Sequence, residues 1–352
     1  MTLRQFASGV EAVPATTSWY LADLGEARGK QELFTRQSPQ TLRALREHAL
    51  IESAVSSNRI EGVGIDQKRV ATIVLGRSPL RDRNEEEVRG YRDALKRIHG
   101  LGAKLPVSER TIRDLHRLSR GGVGDAGRYK QKDSDIIEKL PDGRVRIRFE
   151  TVSAAQTPAC MKETLRLWNE QLTTRLVHPL ILLAAINLDF LCIHPFRDGN
   201  GRVSRLLLLL QCYHSGFEIG RYVSLERVIE ENKERYYETL GESSQNWHQG
   251  THDPWPYVNY VLFVLKTAYR ELEQRAGQVK SPRGAKTALV EAAIDAYAGD
   301  FSLSQLEQAC PGVSRDMIRR VLRDLQKAKK AVCLGRGPGA RWRKEGITLK
   351  RG

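Results

Sequence analysis

Apolar residues recur three and four apart along most of this chain, which predicts helices. "SPQTLRALREHALIESAVSSNRIEG" (38–62) opens on Ser-Pro, keeps that spacing and stops at a glycine. "NEEEVRGYRDALKRIHG" (84–100) has an Asn start, three early acids and later bases, an order that suits the helix dipole. "SERTIRDLHRLSRGG" (108–122) reads the same way. The rhythm breaks in "DIIEKLPDGRVRIRFE" (135–150), where two β-capable runs flank Pro141-Asp142-Gly143 and predict a hairpin. Helical spacing resumes near Thr157. Two apolar segments, "LILLAAINLDFLCI" and "VSRLLLLLQCYHSG", then flank the polar stretch "HPFRDGNGR" (194–202), and 226–243 and 254–277 predict further helices.

After Gly277 the texture changes. "GQVKSPRGAK" (277–286) is a polar linker. The remainder reads as helix, short helix, a turn at Pro311-Gly312, a basic helix and a hairpin around "GRGPGA". That order predicts a winged helix-turn-helix. The expected class is therefore mainly α: a helical bundle with a small β-hairpin, then a winged helix-turn-helix domain. The expected divisions are an N-terminal helical region (1–83), a core (84–276) and the C-terminal domain (285–352).

Composition narrows the function. At 352 residues, 40% hydrophobic and 28% charged, the chain has an ordinary globular make-up. It has no run of about 20 apolar residues to span a bilayer, and its first residues do not read as a secretion signal. Five scattered cysteines without CxxC spacing argue against a disulfide framework or structural zinc, and suit a reducing cytoplasm. The formal charge of +15 suggests an acidic partner such as nucleic acid or nucleotide. From 277 onward, sixteen lysines and arginines stand against seven acids, so over half of that excess lies in the last fifth of the chain.

The chemistry concentrates in 194–205. The stretch leaves one buried helix and opens another, whose first N–H groups bind anions well. Gly199 and Gly201 allow close backbone approach, and Asn200 can add an amide donor. Arg202 and Arg205, three apart, suit phosphate oxygens. Asp198 offers a hard oxygen for Mg²⁺, which uses one or two carboxylates plus substrate phosphates. His194 can take a proton from an attacking hydroxyl near neutral pH. Singly, each has a plain structural reading: a packed histidine, a turn, an N-cap. Phe196 reads as the loop's core anchor. Together they point to transfer of a phosphorus-centred group.

"HPFRDGNGRVSR" (194–205) matches the HxFx(D/E)GNGRxxR signature of the Fic family without gaps. "AGRYK" (126–130), "VHPLILLAAI" (177–186) and "ERYYETL" (234–240) resemble flanking Fic features. The resemblance covers roughly 40–275 and implies a Fic-type helical bundle that transfers AMP from ATP to a Ser, Thr or Tyr hydroxyl of another protein. It implies His194 as base, Asp198 as the Mg²⁺ ligand, Gly199, Asn200 and Gly201 as an anion hole, Arg202 on the β-phosphate and Arg205 on the γ-phosphate. It also implies the 135–150 hairpin as a flap that docks the target as an added strand, and Tyr237 in the adenine pocket. The flap lacks the proline cluster that often follows it.

"SSNRIEG" (56–62) matches the (S/T)xxxE(G/N) inhibitory motif of the subclass with an N-terminal inhibitory helix. Ser57 and Glu61 are four apart and share a helix face. The resemblance implies that Glu61 pairs with Arg205 and blocks the γ-phosphate, and allows it a second role in removing AMP from modified targets. ATP as co-substrate, Mg²⁺ as cofactor and a protein target are the expected partners. DNA or protein is expected for the C-terminal domain, with a second copy of the chain as a further partner and no membrane. Transfer of another nucleotide or phosphate-containing group stays open. A DNA-binding regulator with a vestigial core is opposed by the intact signature.

Overall fold

Helical spacing is realised along most of the chain. The computed structural model describes all residues except 36–38, 77–78, 123, 140–142, 280–284, 296, 298, 311–312, 336, 338–339 and 346–352. In order, the first elements are α1 (Thr2–Gln5), α2 (Ala15–Thr35), α3 (Pro39–Ile60), α4 (Gln67–Leu75), α5 (Arg83–Leu101) and α6 (Glu109–Arg120). The hairpin β1 (Ile136–Lys139) and β2 (Val145–Phe149) follows. Then come α7 (Thr157–Thr174), α8 (Pro179–Ile193), α9 (Asn200–His214), α10 (Leu225–Glu231), α11 (Lys233–Ser244) and α12 (Trp255–Val279). The last elements are α13 (Ala285–Asp295), β3 (Phe301–Ser302), α14 (Leu303–Ala309), α15 (Arg315–Lys327), β4 (Ala331–Cys333) and β5 (Arg341–Lys344). The chain forms two compact units, Met1–Leu33 with Arg46–Leu272 and Phe34–Leu45 with Glu273–Gly352.

In the first unit, α8 buries every residue from Leu180 to Ile193, and α9 buries Val203 to Tyr213. Helices apolar on all sides have to lie at the centre of a core. Polar atoms in such a core need partners. Asn187 of α8 donates to the Ser204 carbonyl at 2.7 Å and accepts from the Tyr257 hydroxyl at 2.6 Å, tying α8, α9 and α12 together. Helix α5 turns Val88, Tyr91, Ala94, Leu95 and Ile98 inward. It passes close to α6 at Gly90, where a Cβ would stand 2.1 Å from the Leu118 carbonyl oxygen.

Two expected boundaries move. The helix read as starting at Asn84 starts at Arg83, because Asp82 caps it by accepting from the Glu85 N–H at 2.9 Å. Asn84 instead donates to the Gly64 carbonyl. The segment 226–243 forms two helices, α10 and α11. Asn232 separates them, and its side chain donates to the Val228 carbonyl at 2.8 Å, satisfying the end of α10.

The hairpin forms as expected, with Ile137 opposite Ile147 and Lys139 opposite Val145. Its predicted turn residues Pro141 and Asp142 lie outside the described residues. The second unit is built on Val290, Ile294, Phe301, Leu306, Ile318, Val321 and Leu322, with Trp342 packed against them. Its antiparallel sheet runs β3-β5-β4. Ser302 and Gln305 form a capping box on α14, and Ser314 caps α15. The expected turn at Pro311-Gly312, parts of the 335–340 loop and residues 280–284 of the linker lie outside the described residues. Among the described residues, no helix is long and apolar enough to cross a membrane.

Candidate active site

The loop between α8 and α9 is held by its own residues. His194 ends α8 in the left-handed region at φ 53°. Phe196 is fully buried and stacks on His116 at 3.8 Å and 7°, so it is the anchor expected. The Asn200 side chain accepts from the Phe196 N–H at 2.9 Å and donates to the Phe196 carbonyl at 2.7 Å. Its amide therefore closes the loop and is not the anion donor expected from sequence. What α9 offers an anion is its first-turn backbone. Gly199 takes φ 82°, and a Cβ there would stand 3.1 Å from Arg120 Cδ and 3.5 Å from the His116 ring.

His116, on α6, had no role in the sequence reading. The Gly127 N–H donates to its Nδ1 at 2.8 Å, so Nε2 carries the proton and donates to the Asp198 carbonyl at 3.0 Å. Burial pushes this imidazole down to about 4, so it stays neutral at pH 7.

The arginines of α9 are buried against acids of other helices. Arg202 donates to Glu87 at 2.7 Å and to Asn58 Oδ1 at 3.4 Å. Arg120 of α6 bridges Glu87 at 3.2 Å and Asp198 at 2.6 Å. Glu87 thus pairs with two buried guanidiniums. In the sequence it is one of the three early acids of the 84–100 segment. Its signal was its place one turn before Tyr91, on the apolar face of α5.

Arg205 meets the end of α3. Its Nε donates to Ser57 Oγ at 2.9 Å, and its Nη2 donates to the Ser57 carbonyl at 2.9 Å and to Glu61 Oε1 at 2.8 Å. Ser57 is fully buried. Burial works against the charge of Arg205, but Glu61 with Tyr91 and Tyr236 outweighs it, so its pKa stands above the usual arginine value. Helix α3 stops with Gly62 at φ 80°, and Lys233 donates to the Ile60 carbonyl at 3.0 Å. Glu61 is thereby carried over the first turn of α9. A Cβ on Gly201 would stand 2.2 Å from Glu61 Oε1, so the glycine makes room for the carboxylate. An internal anion occupies the positive end of α9.

Beside it lies a cavity of about 280 Å³, lined by Glu61, His194 and Gly201 on one side and by Phe149, Tyr236, Tyr237 and Leu240 on another. Tyr237 therefore lines the cavity. Arg148 of β2 donates to the Tyr237 carbonyl at 2.6 Å and lies over its ring at 5.7 Å, so the hairpin closes on α11. Burial first, then the positive charge of Lys130, pushes the His194 imidazole down to about 4, against smaller opposing effects of the Leu191 carbonyl, Glu61 and Asp198. Lys130 is fixed by Thr151 Oγ1 at 2.6 Å and by the Ile193 carbonyl at 3.3 Å.

Asp198 keeps about half of its side chain exposed while pairing with Arg120. Its Oδ1 accepts from the Gly199 N–H at 2.6 Å. Burial raises its pKa, but Arg120 and Arg202 more than reverse this, so it holds its charge below the usual carboxylate range. Among the described residues, no three His, Cys, Asp or Glu side chains converge on a metal position. One half-exposed carboxylate fits a Mg²⁺ whose remaining ligands come from phosphates and water.

The profile of the Fic/DOC family matches residues 106–212. A protein adenylyltransferase Fic of Nematostella vectensis is 25% identical over 254 residues, covering 68% of this chain and 52% of that protein. The enzyme of the same name from Drosophila melanogaster is 24% identical over 187 residues, covering 51% of this chain and 36% of that protein. The chain thus spans about half or less of the length of these relatives. Among solved structures, a Fic family protein from Desulfovibrio desulfuricans superposes with a TM-score of 0.61 at 26% identity, covering 96% of this chain and 98% of that one. Fic-1 from C. elegans superposes with a TM-score of 0.56 at 23% identity over 75% of this chain and 74% of its own, a likeness of fold. With its mainly helical architecture and the 194–205 stretch that leaves α8 and opens α9, this chain carries a Fic/DOC-family domain over residues 106–212.

Proposed function

We propose that the chain is a protein adenylyltransferase held in check by its own Glu61. One observation carries the reading: Glu61 pairs with Arg205 over the first turn of α9, beside the cavity that His194 lines. Neutral His194 takes the proton of a target Ser, Thr or Tyr hydroxyl. The hydroxyl oxygen bonds to the α-phosphorus of ATP, the α–β anhydride bond breaks, and pyrophosphate leaves. The backbone at Gly199, Asn200 and Gly201 receives phosphate oxygens. Arg202 faces the β-phosphate, and Arg205, once released by Glu61, takes the γ-phosphate. Tyr237 packs the adenine, and the hairpin docks the target as an added strand. Asp198 would hold a Mg²⁺ ion, which when bound would neutralise phosphate charge. The same Glu61 is placed to assist water in removing AMP from a modified target. Incubation with α-labelled ATP, GTP, CTP and UTP, using wild type and Glu61→Gly, tests the donor. Label from ATP alone, rising in the variant, is expected; label from another nucleotide alone overturns the AMP assignment.

Asp198→Ala is expected to lose most transfer and its dependence on Mg²⁺. Titrating Mg²⁺ against activity checks this, and a wild-type curve in the variant would place the metal elsewhere.

For the second unit we propose a winged helix that binds duplex DNA. Ile318, Val321 and Leu322 bury one face of α15, and Arg320, Arg323 and Lys327 are exposed along the opposite face. Arg315 pairs with Glu307 and Arg319 with Asp316. Arg320 and Arg323 are therefore the expected phosphate contacts. Binding is expected to weaken steeply with salt as counterions are released. Arg320→Ala with Arg323→Ala should lower the salt slope by about two. Fluorescence anisotropy of the full chain with duplex DNA at several salt concentrations reads this. No binding at low salt eliminates DNA and leaves a protein partner.

A further inference from the structure

The helix that ends at His194 also carries a buried acid that the chemistry does not use. Asp189 lies five residues before His194 and has no solvent exposure. Its Oδ1 accepts from the Thr2 N–H at 2.6 Å and from the Trp247 indole N–H at 2.7 Å. Its Oδ2 accepts from the Leu3 N–H at 2.9 Å. A carboxylate in an apolar core is strongly disfavoured without such donors. The segment that supplies them is well fixed. Leu3 is fully buried, Phe6 nearly so, and Gln171 donates to the Leu3 carbonyl at 2.5 Å. Thr2 Oγ1 and Gln5 Nε2 both meet His252, at 2.8 and 3.2 Å.

What the acid joins is informative. Trp247 meets the Phe149 ring edge-on at 6.5 Å and 72°. His248 stacks on the same ring at 5.5 Å and 14°, and its Nε2 donates to the Glu150 carbonyl at 2.7 Å. Phe149 ends β2 and lines the cavity beside His194. Residues in contact therefore run from α1 through Asp189 and Trp247 to the end of the hairpin.

We propose that Asp189 and the Thr2–Phe6 segment are positioning elements for the hairpin. Asp189 fixes the Trp247 indole, Trp247 and His248 form the seat of Phe149, and this seat sets where the hairpin stands beside the catalytic loop. A purely structural acid would only hold α1 to α8. A positioning acid also controls the mobility of β1 and β2. The inference that this affects target docking rests on the proposed role of the hairpin. The positioning itself does not, and is measured without nucleotide or target.

Backbone hydrogen–deuterium exchange on the full chain tests it. Thr2→Pro removes one N–H donor to Asp189 at the first position of α1, where proline is well tolerated. Asp189→Asn keeps the shape and removes the charge. Leu95→Ala, in the buried face of α5, serves as a control for general destabilisation. Exchange at 136–139 and 145–149 is expected to rise on the order of tenfold in Thr2→Pro and Asp189→Asn. His248→Ala should raise it too, with Asp189 left intact. Leu95→Ala should leave the hairpin at its wild-type rate relative to the rest of the first unit. Should Asp189→Asn not fold, Thr2→Pro and His248→Ala decide the matter. Hairpin exchange that is unchanged in Thr2→Pro, or that rises only in step with the whole unit as in Leu95→Ala, overturns the proposal. In transfer assays with a modified target, the same variants should raise KM for the target. Hairpin exchange that rises while no target is ever modified would count against the proposed transfer activity and not against the positioning.

Discussion

Glu61→Gly is expected to raise AMP transfer by roughly ten- to hundredfold. Glu61 Oε1 lies 2.8 Å from Arg205 Nη2, at the end of α9 proposed to receive the γ-phosphate. A hydrogen bond to a charged group contributes about 1.5–3 kcal/mol, and each 1.4 kcal/mol is about tenfold. Removing the carboxylate frees the guanidinium and ends its repulsion of phosphate. Arg205→Ala should give no such gain, since it deletes the restraint and the clamp together. Ser57→Ala should lower nucleotide affinity in the Glu61→Gly background, because Ser57 Oγ orients Arg205 at 2.9 Å. Self-labelling from α-labelled ATP reads all three. Equal labelling by wild type and Glu61→Gly would show that the end of α3 is not the brake.

Loss of His194 is expected to lower transfer by roughly 10²–10⁴, the usual contribution of a general base. The residue sits at φ 53°, a region that asparagine tolerates better than alanine. Comparing His194→Asn with His194→Ala therefore separates loss of the base from backbone strain, and both should show that loss of transfer with unchanged far-ultraviolet circular dichroism. The imidazole is pushed down to about 4, so it can accept a proton at neutral pH. The acid limb of kcat/KM should fall near pH 4, with a plateau above about pH 6. The sign for stability follows from the same shift. The folded pKa lies below the unfolded value of 6.5, so this contribution is present above pH 6.5 and is lost as pH falls toward 4. An acid limb centred at 6.5 would mean that the imidazole is solvated in the working enzyme.

Local spacing alone specifies a large part of this molecule. The period of apolar residues specified α3, α6, α7 and α12, and two apolar runs with no polar face could only be central, as α8 and α9 are. The order HPFRDGNGR put a base, an acid, two glycines and two arginines at the junction of those helices, because nine consecutive residues cannot carry them far apart. The four-residue interval from Ser57 to Glu61 put both on one side of α3, and both reach Arg205. Which partner each charge takes is set by contacts between residues far apart in the chain. Glu87 lies 115 residues from Arg202, and Asp189 lies 187 from Thr2. Nothing in the local pattern distinguishes such acids from solvated ones. Asn200 read as a free amide because its partner, the Phe196 backbone, becomes a partner only when the loop is closed. Local periodicity sets which face of a helix is buried. Side chains buried by distant helices must find hydrogen-bond partners there, and that choice is made when the helices pack.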